Sequence, residues 1–118
     1  MTRPLAVVID DDPQAAEAVG LTVRDWGADV IVAANAAEAL ALLGRKARVV
    51  SWIITDYELG AGVKGVDDVQ SLRAVAPNAR ILVLSGARGS GDAAARAGFD
   101  NMSKPANAAH IHAWLASG

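Results

Sequence analysis

Asp10, Asp11 and Asp12 stand in a row directly behind the apolar run LAVVI and directly before Pro13. Adjacent carboxylates repel, and beside a hydrophobic core that repulsion is poorly screened. A further aspartate, Asp56, ends the run VVSWIIT, a hydroxyl, Ser85, ends RILVL, and an ammonium, Lys104, follows DNMS. If Asp10, Asp11 and Asp56 share one pocket, either a carboxyl keeps its proton or a cation joins them. A hard divalent cation suits an all-oxygen ligand set, and Mg²⁺ takes one or two carboxylates together with waters and phosphate oxygens. Lys104 can pair with a carboxylate or a phosphate, and Ser85 can donate a hydrogen bond to a phosphoryl oxygen. Such a set handles phosphoryl groups, because phosphoryl transfer is mainly positioning and charge neutralisation. A carboxylate can itself be the nucleophile and form an aspartyl phosphate.

These residues must be positioned by the elements that carry them. Residues 5–10, 29–33, 49–55, 80–84 and 100–103 read as strands, most of them continuous apolar runs of the kind found in parallel sheets covered on both faces. Helical segments lie between them. Asp12 is a natural N-cap with Pro13 at the first helical position, and Val19, Val23 and Trp26 follow at helical spacing up to Gly27. Asn35 caps a second helix, with Ala36, Leu40 and Leu43 on one face and Gly44 at its end. Val66, Val69 and Leu72 mark a third that stops before Pro77, and an alanine-rich fourth covers roughly residues 91–97. Asn107 caps the last, with Ile111, Trp114 and Leu115 facing inward.

A β-α unit repeated five times implies an α/β fold: a doubly wound, three-layer (βα)5 sandwich with right-handed crossovers. Ligands in such folds sit beyond the carboxyl ends of the strands, where strand order reverses. Those ends carry Asp10–Asp12, Asn35, Asp56, Ser85–Gly86 and Lys104–Pro105. With a flavodoxin-like order 2-1-3-4-5, strands one and three are neighbours and Asp10, Asp11 and Asp56 meet.

The chain has 118 residues, enough for a single domain over 1–118 with one core. It is 53% hydrophobic and 20% charged, which marks a globular chain. A net charge of −2 provides no electrostatic footprint for nucleic acid, and no cluster of Lys and Arg stands out to overrule it. The absence of cysteine excludes disulfides, zinc–thiolate sites and cysteine nucleophiles. No apolar run approaches membrane-spanning length and no signal peptide is visible, so the expected location is cytoplasmic.

The motifs VVIDDDP, WIITDYELG, ILVLSGA and SKPA, in that order and each at the end of a hydrophobic run, resemble those of response-regulator receiver domains of two-component signalling, the CheY-like family. The resemblance spans essentially the whole chain. It implies a phosphoacceptor domain that takes a phosphoryl group from a histidine kinase or a phosphotransfer protein, with Mg²⁺ as cofactor; it is not an enzyme in the usual sense, but catalyses transfer to its own aspartate and the hydrolysis that follows. By that resemblance Asp10 and Asp11 hold the metal and Asp56 is the phosphoacceptor. Glu58 completes the metal site through its backbone carbonyl, and its side chain occupies a position that tunes dephosphorylation. Ser85 is the hydroxyl that moves to meet the phosphoryl group, Ala87 is a second tuning position, and Lys104 is the lysine of the site, with a cis Lys104–Pro105 peptide. Asp12 matches a third acidic position and reads mainly as the helix cap. The implied output is a change in the surface made by the fourth helix, fifth strand and fifth helix.

Three features depart from the family pattern. Asn101 stands where the family has an aromatic switch residue, so an aromatic rotamer cannot carry the signal. The loop after Asp56 reads LGAGVKG in place of a proline-bearing turn, as in receivers attached to hybrid histidine kinases. The segment from Ser85 to Lys104 is about one helical turn short. The chain is expected to be a stand-alone protein or a domain of a larger kinase or regulator, with any fused kinase or effector outside it.

Two other functions fit parts of the pattern. A degenerate receiver would act as an interaction module without phosphorylation; Asn101 favours it and the full set of Asp10, Asp11, Asp56, Ser85 and Lys104 opposes it. A haloacid-dehalogenase-type phosphatase could use Asp10 and Asp12, but it needs an acidic motif after the lysine, and residues 105–118 contain no Asp or Glu. GAGVKG at 60–65 matches G-x-G-x-x-G formally, but residues 56–59 separate it from its strand, so it reads as a loop. His110 and His112, two apart on a helix, diverge and cannot share a metal.

Overall fold

In the computed structural model, residues 3–86 and 90–117 are described. The five expected strands form β1 (Leu5–Ile9), β2 (Asp29–Ala33), β3 (Val50–Asp56), β4 (Arg80–Ser85) and β5 (Asp100–Ser103). They pair in parallel in the order β2-β1-β3-β4-β5. Helices α1 (Pro13–Trp26) and α6 (Ala108–Ala116) cover one face. The other face carries α2 (Ala36–Leu43), the short segments α3 (Gly65–Asp68) and α4 (Gln70–Val75), and α5 (Ser90–Arg96). This is the flavodoxin-like, doubly wound architecture that the alternation of elements implies.

Alternating residues of the central strands feed two cores. Val7, Ile9, Ile53 and Val83 point to the α2–α5 side, where Leu43, Val69 and Leu72 meet them. Ala6, Val8, Ile54, Leu82 and Leu84 point to the α1–α6 side, against Val23, Ile111, Trp114 and Leu115. Each fully buried Ile or Leu contributes about 2 kcal/mol by leaving water. Burial on both faces is why these strands are apolar throughout rather than alternating.

The helix signals act locally as expected. Asp12 accepts from the Gln14 N–H at 3.0 Å, Asn35 from Glu38 at 2.8 Å and Asn107 from His110 at 2.8 Å. Two features were not legible in the pattern. The third helix steps at Val69, dividing into α3 and α4. Its Asp68 carboxylate turns away to accept the Ala36 N–H at 2.7 Å, so a distant segment helps to cap α2. The second feature follows Gly44, where the chain does not run straight into β3 but winds a 3-10 helix over Gly44–Val49. No helix among the described residues is long and apolar enough to cross a membrane.

One irregularity bears directly on the site. Leu5 pairs with Val50 but Ala6 pairs with Trp52, so the register steps by one residue of β3 at Ser51. The step brings Ile9 opposite Thr55. The residues that follow, Asp10 just past β1 and Asp56 at the end of β3, therefore stand at the same level.

Candidate functional site

Asp10, Asp11 and Asp56 converge at the carboxyl end of the sheet, each offering a carboxylate oxygen, all within 4.8 Å of one another. Asp10 and Asp56 are both about 8% exposed, whereas Asp11 is open to solvent. The Asp12 N–H donates to Asp10 Oδ1 at 3.0 Å, so the third aspartate orients the first through its backbone while its own carboxylate caps α1. Lys104 Nζ lies 2.7 Å from Asp56 Oδ1. Lys104 is held by its backbone as well, its N–H donating to the Ser85 carbonyl at 2.9 Å. The Lys104–Pro105 peptide is cis.

Burial raises the carboxyl pKa of Asp10 above its ordinary value, because the charged form loses water. The Asp12 N–H opposes that shift, the Asp56 charge adds to it, Lys104 opposes it and Asp11 adds to it. The three carboxylates thus carry more negative charge than the single ammonium beside Asp56 offsets. An all-oxygen cluster with surplus negative charge and one member destabilised as an anion fits a hard divalent cation such as Mg²⁺.

Other sequence-derived positions fall as follows. Ser85 ends β4 and is buried. Glu58 forms a two-residue antiparallel bridge with Lys64, whose ammonium lies 2.8 and 2.9 Å from the two carboxylate oxygens. That contact raises the Lys64 pKa. Asn101, on β5, is exposed. Ala87 lies outside the described residues. His112 faces α1, its Nε2 2.9 Å from the Thr22 carbonyl oxygen, and His110 is exposed.

The wall of the pocket is the GAGVKG segment, a loop as its sequence implies, and its glycines press on the site in a way the motif does not reveal. Gly60 has φ +81°, and a Cβ there would lie 2.7 Å from Asp11 Oδ2. Gly65 donates its N–H to the Tyr57 carbonyl at 2.6 Å, and a Cβ on it would overlap the Asp56 backbone carbonyl oxygen. The loop is therefore pressed against the acidic cluster at both ends, which only glycine allows. Thr55 is also part of the site's support: it is fully buried and its Oγ1 donates to the Asp56 carbonyl at 3.0 Å. A Thr directly before a strand-ending Asp was the only signal for it.

Comparisons with known proteins bear on the family and the fold. The family model described as response regulator receiver domain matches residues 6–116. No curated protein matches the chain. Among solved structures, a response regulator receiver domain protein from Clostridium thermocellum superposes with a TM-score of 0.82 at 19% identity, over 96% of this chain and 91% of that one. The chemotaxis protein CheY4 of Vibrio cholerae is 25% identical, with a TM-score of 0.80 over 98% of both chains. A response regulator protein from Burkholderia pseudomallei, solved with a phosphorylated aspartic acid, calcium ion and citrate, is 33% identical with a TM-score of 0.76. That match covers 93% of this chain and 65% of the other.

Proposed function

The chain belongs to the response regulator receiver domain family of two-component signalling, and on that premise we propose that Asp56 accepts a phosphoryl group from the phosphohistidine of a histidine kinase or phosphotransfer protein. The observation that carries the proposal is the convergence of Asp10, Asp11 and Asp56, with Lys104 Nζ 2.7 Å from Asp56.

Lys104 engages Oδ1 of Asp56, which leaves Oδ2 as the attacking atom. Oδ2 attacks phosphorus in line; the O–P bond forms as the N–P bond breaks, and the electron pair returns to the donor imidazole. Asp10 and Asp11, with Asp56 and the Glu58 backbone carbonyl, are the residues that would hold Mg²⁺. When bound, the ion neutralises charge on the transferred phosphoryl oxygens. Lys104 moves from the carboxylate to a phosphoryl oxygen, and the Ser85 hydroxyl donates to another. The domain is a phosphoacceptor rather than an enzyme with external turnover. The product adds a charge of about −1.5 to −2. Drawing Ser85 inward then pulls on β4 and shifts the surface of α5, β5 and α6, the elements counted from sequence as helix four, strand five and helix five. With Asn101 exposed on β5, this shift proceeds without an aromatic rotamer.

The test is intact mass after incubation with Mg²⁺ and acetyl phosphate. The expected result is a gain of one phosphoryl group that Asp56→Asn abolishes. No gain would favour an interaction module that works unphosphorylated, and multiple turnover of a phosphoester independent of Asp56 would favour a phosphatase.

A further inference from the structure

The end of the sheet opposite the acidic cluster has the reverse character. Arg45, Lys46 and Arg48 project from the 3-10 helix, all exposed, and Arg3 joins them from just before β1. Among the described residues none of these four is within ion-pair distance of a carboxylate, whereas Arg24, Lys64, Arg80 and Lys104 all are. Part of this positive charge answers the carboxyl end of α2, where the helix dipole amounts to roughly half an elementary charge. Three cations so close together exceed that need, and Arg3, in the segment just before β1, lies outside the helix altogether.

The same surface is apolar in the places between the charges. Val49 is 67% exposed at the end of the 3-10 helix, Val75 is exposed beside Arg45 and Arg48, and Leu42 is exposed in the last turn of α2. Three grooves meet here. One, of about 570 Å³, is lined by Arg3, Pro4, Leu5, Lys46 and Val49 among others, with Asp29 its single acid. A second, of about 450 Å³, runs from Val49 past Ser51 and Trp52 to Arg80 and Leu115. A third, between Arg45, Arg48 and Val75, continues the surface towards α4. Val49 thus forms a ridge with cations on either side.

We propose that this face is a docking surface for an acidic segment of a partner protein that also carries apolar side chains. Charge complementarity selects the acidic partner, since exposed unpaired cations attract carboxylates and steer their approach. The apolar ridge selects a protein segment over a polyanion: Val49, Leu42 and Val75 provide contact area for Leu- or Val-type side chains, which a phosphate backbone lacks. The surface lies at the far end of the strands from Asp56, so a segment could remain docked while a kinase reaches the phosphoacceptor.

The test is titration of isotope-labelled protein with a synthetic helical peptide of Glu with Leu on one face, followed by NMR. Shifts should concentrate at Arg3, Lys46, Arg48, Val49 and Ser51. Arg45→Glu with Arg48→Glu should weaken binding about tenfold, and Val49→Ser about threefold, on the scale where 1.4 kcal/mol is tenfold. All three positions are exposed, so unchanged thermal melting will show that the variants fold. The proposal is overturned by absent or scattered shifts, or by an all-Glu peptide binding as tightly as the mixed one with no effect of Val49→Ser. It is equally overturned if duplex DNA or phosphatidylserine vesicles occupy these residues more tightly than the peptide, or if self-association of the chain occupies them. Phosphorylation of Asp56 is read separately by mass, and neither result depends on the other.

Discussion

The two ends of the sheet carry opposite charge under opposite physical conditions. At the carboxyl end Asp10 and Asp56 are almost buried, crowd within 4.8 Å of a third carboxylate, and share one lysine. At the amino end Arg3, Arg45, Lys46 and Arg48 are exposed and unpaired among the described residues. Crowded, poorly solvated charges interact strongly and tax the fold. Dispersed, solvated charges are screened within about 10 Å in ordinary salt and cost it little. The comparison teaches that the acidic end holds electrostatic strain that a bound cation would relieve, whereas the basic end holds charge that is available at almost no cost.

Substitutions can sharpen that contrast. The largest effect is expected at the wall of the acidic pocket. Gly65→Ala places a methyl group on the Asp56 backbone carbonyl, which cannot yield without moving β3. A loss of about 3 kcal/mol in urea unfolding is expected, with phosphoryl uptake impaired alongside; wild-type stability there would mean that the loop is not pressed against the site.

Next comes a change of opposite sign. Asp10→Asn removes a buried charge yet keeps an oxygen for the Asp12 N–H. Without divalent ions it should stabilise the fold by about 1 kcal/mol, near 4 °C in melting temperature. Added Mg²⁺ should stabilise the wild type, and that stabilisation should shrink in this variant.

The same variant carries the pH dependence. The folded pKa of Asp10 is raised, so its contribution to stability is fully present below the unfolded value near 3.8 and is lost as pH climbs through the higher folded value. The advantage of Asp10→Asn over wild type should therefore be small at acid pH and grow towards neutral pH. A gap that widened on acidification would reverse the sign assigned to this carboxyl.

The smallest effect belongs to the opposite end. Arg45→Glu with Arg48→Glu should cost no more than about 1 kcal/mol, the loss of cations at the end of α2, and leave phosphoryl uptake unchanged, because both side chains are exposed and unpaired among the described residues. A large destabilisation by urea melt would show that these cations are structural, and the contrast between the two ends would fail.

Much of this molecule was decided by interactions spanning only a few residues, and those are legible in the chain. Apolar runs specify β1, β3 and β4 because both faces of each are covered. Asp12, Asn35 and Asn107 announce three helix starts because a cap bonds to a backbone N–H two or three residues on. Parallel connection of β-α units then puts Asp10, Asp56, Ser85 and Lys104 at the same end of the sheet. Other features rest on contacts between distant segments, for which no local pattern exists. The one-residue step at Ser51 levels Asp56 with Asp10, and it depends on how β3 settles against β1. The Asp68 carboxylate reaches out from α3 to accept the N–H of Ala36, thirty-two residues away. The winding of residues 44–49 follows from packing Ala47 inward, and it turns the short run Arg45, Lys46, Arg48 outward beside Arg3. Local propensity ends within a turn or two of chain; register, close approach and the gathering of charge are properties of surfaces that only the folded state brings together.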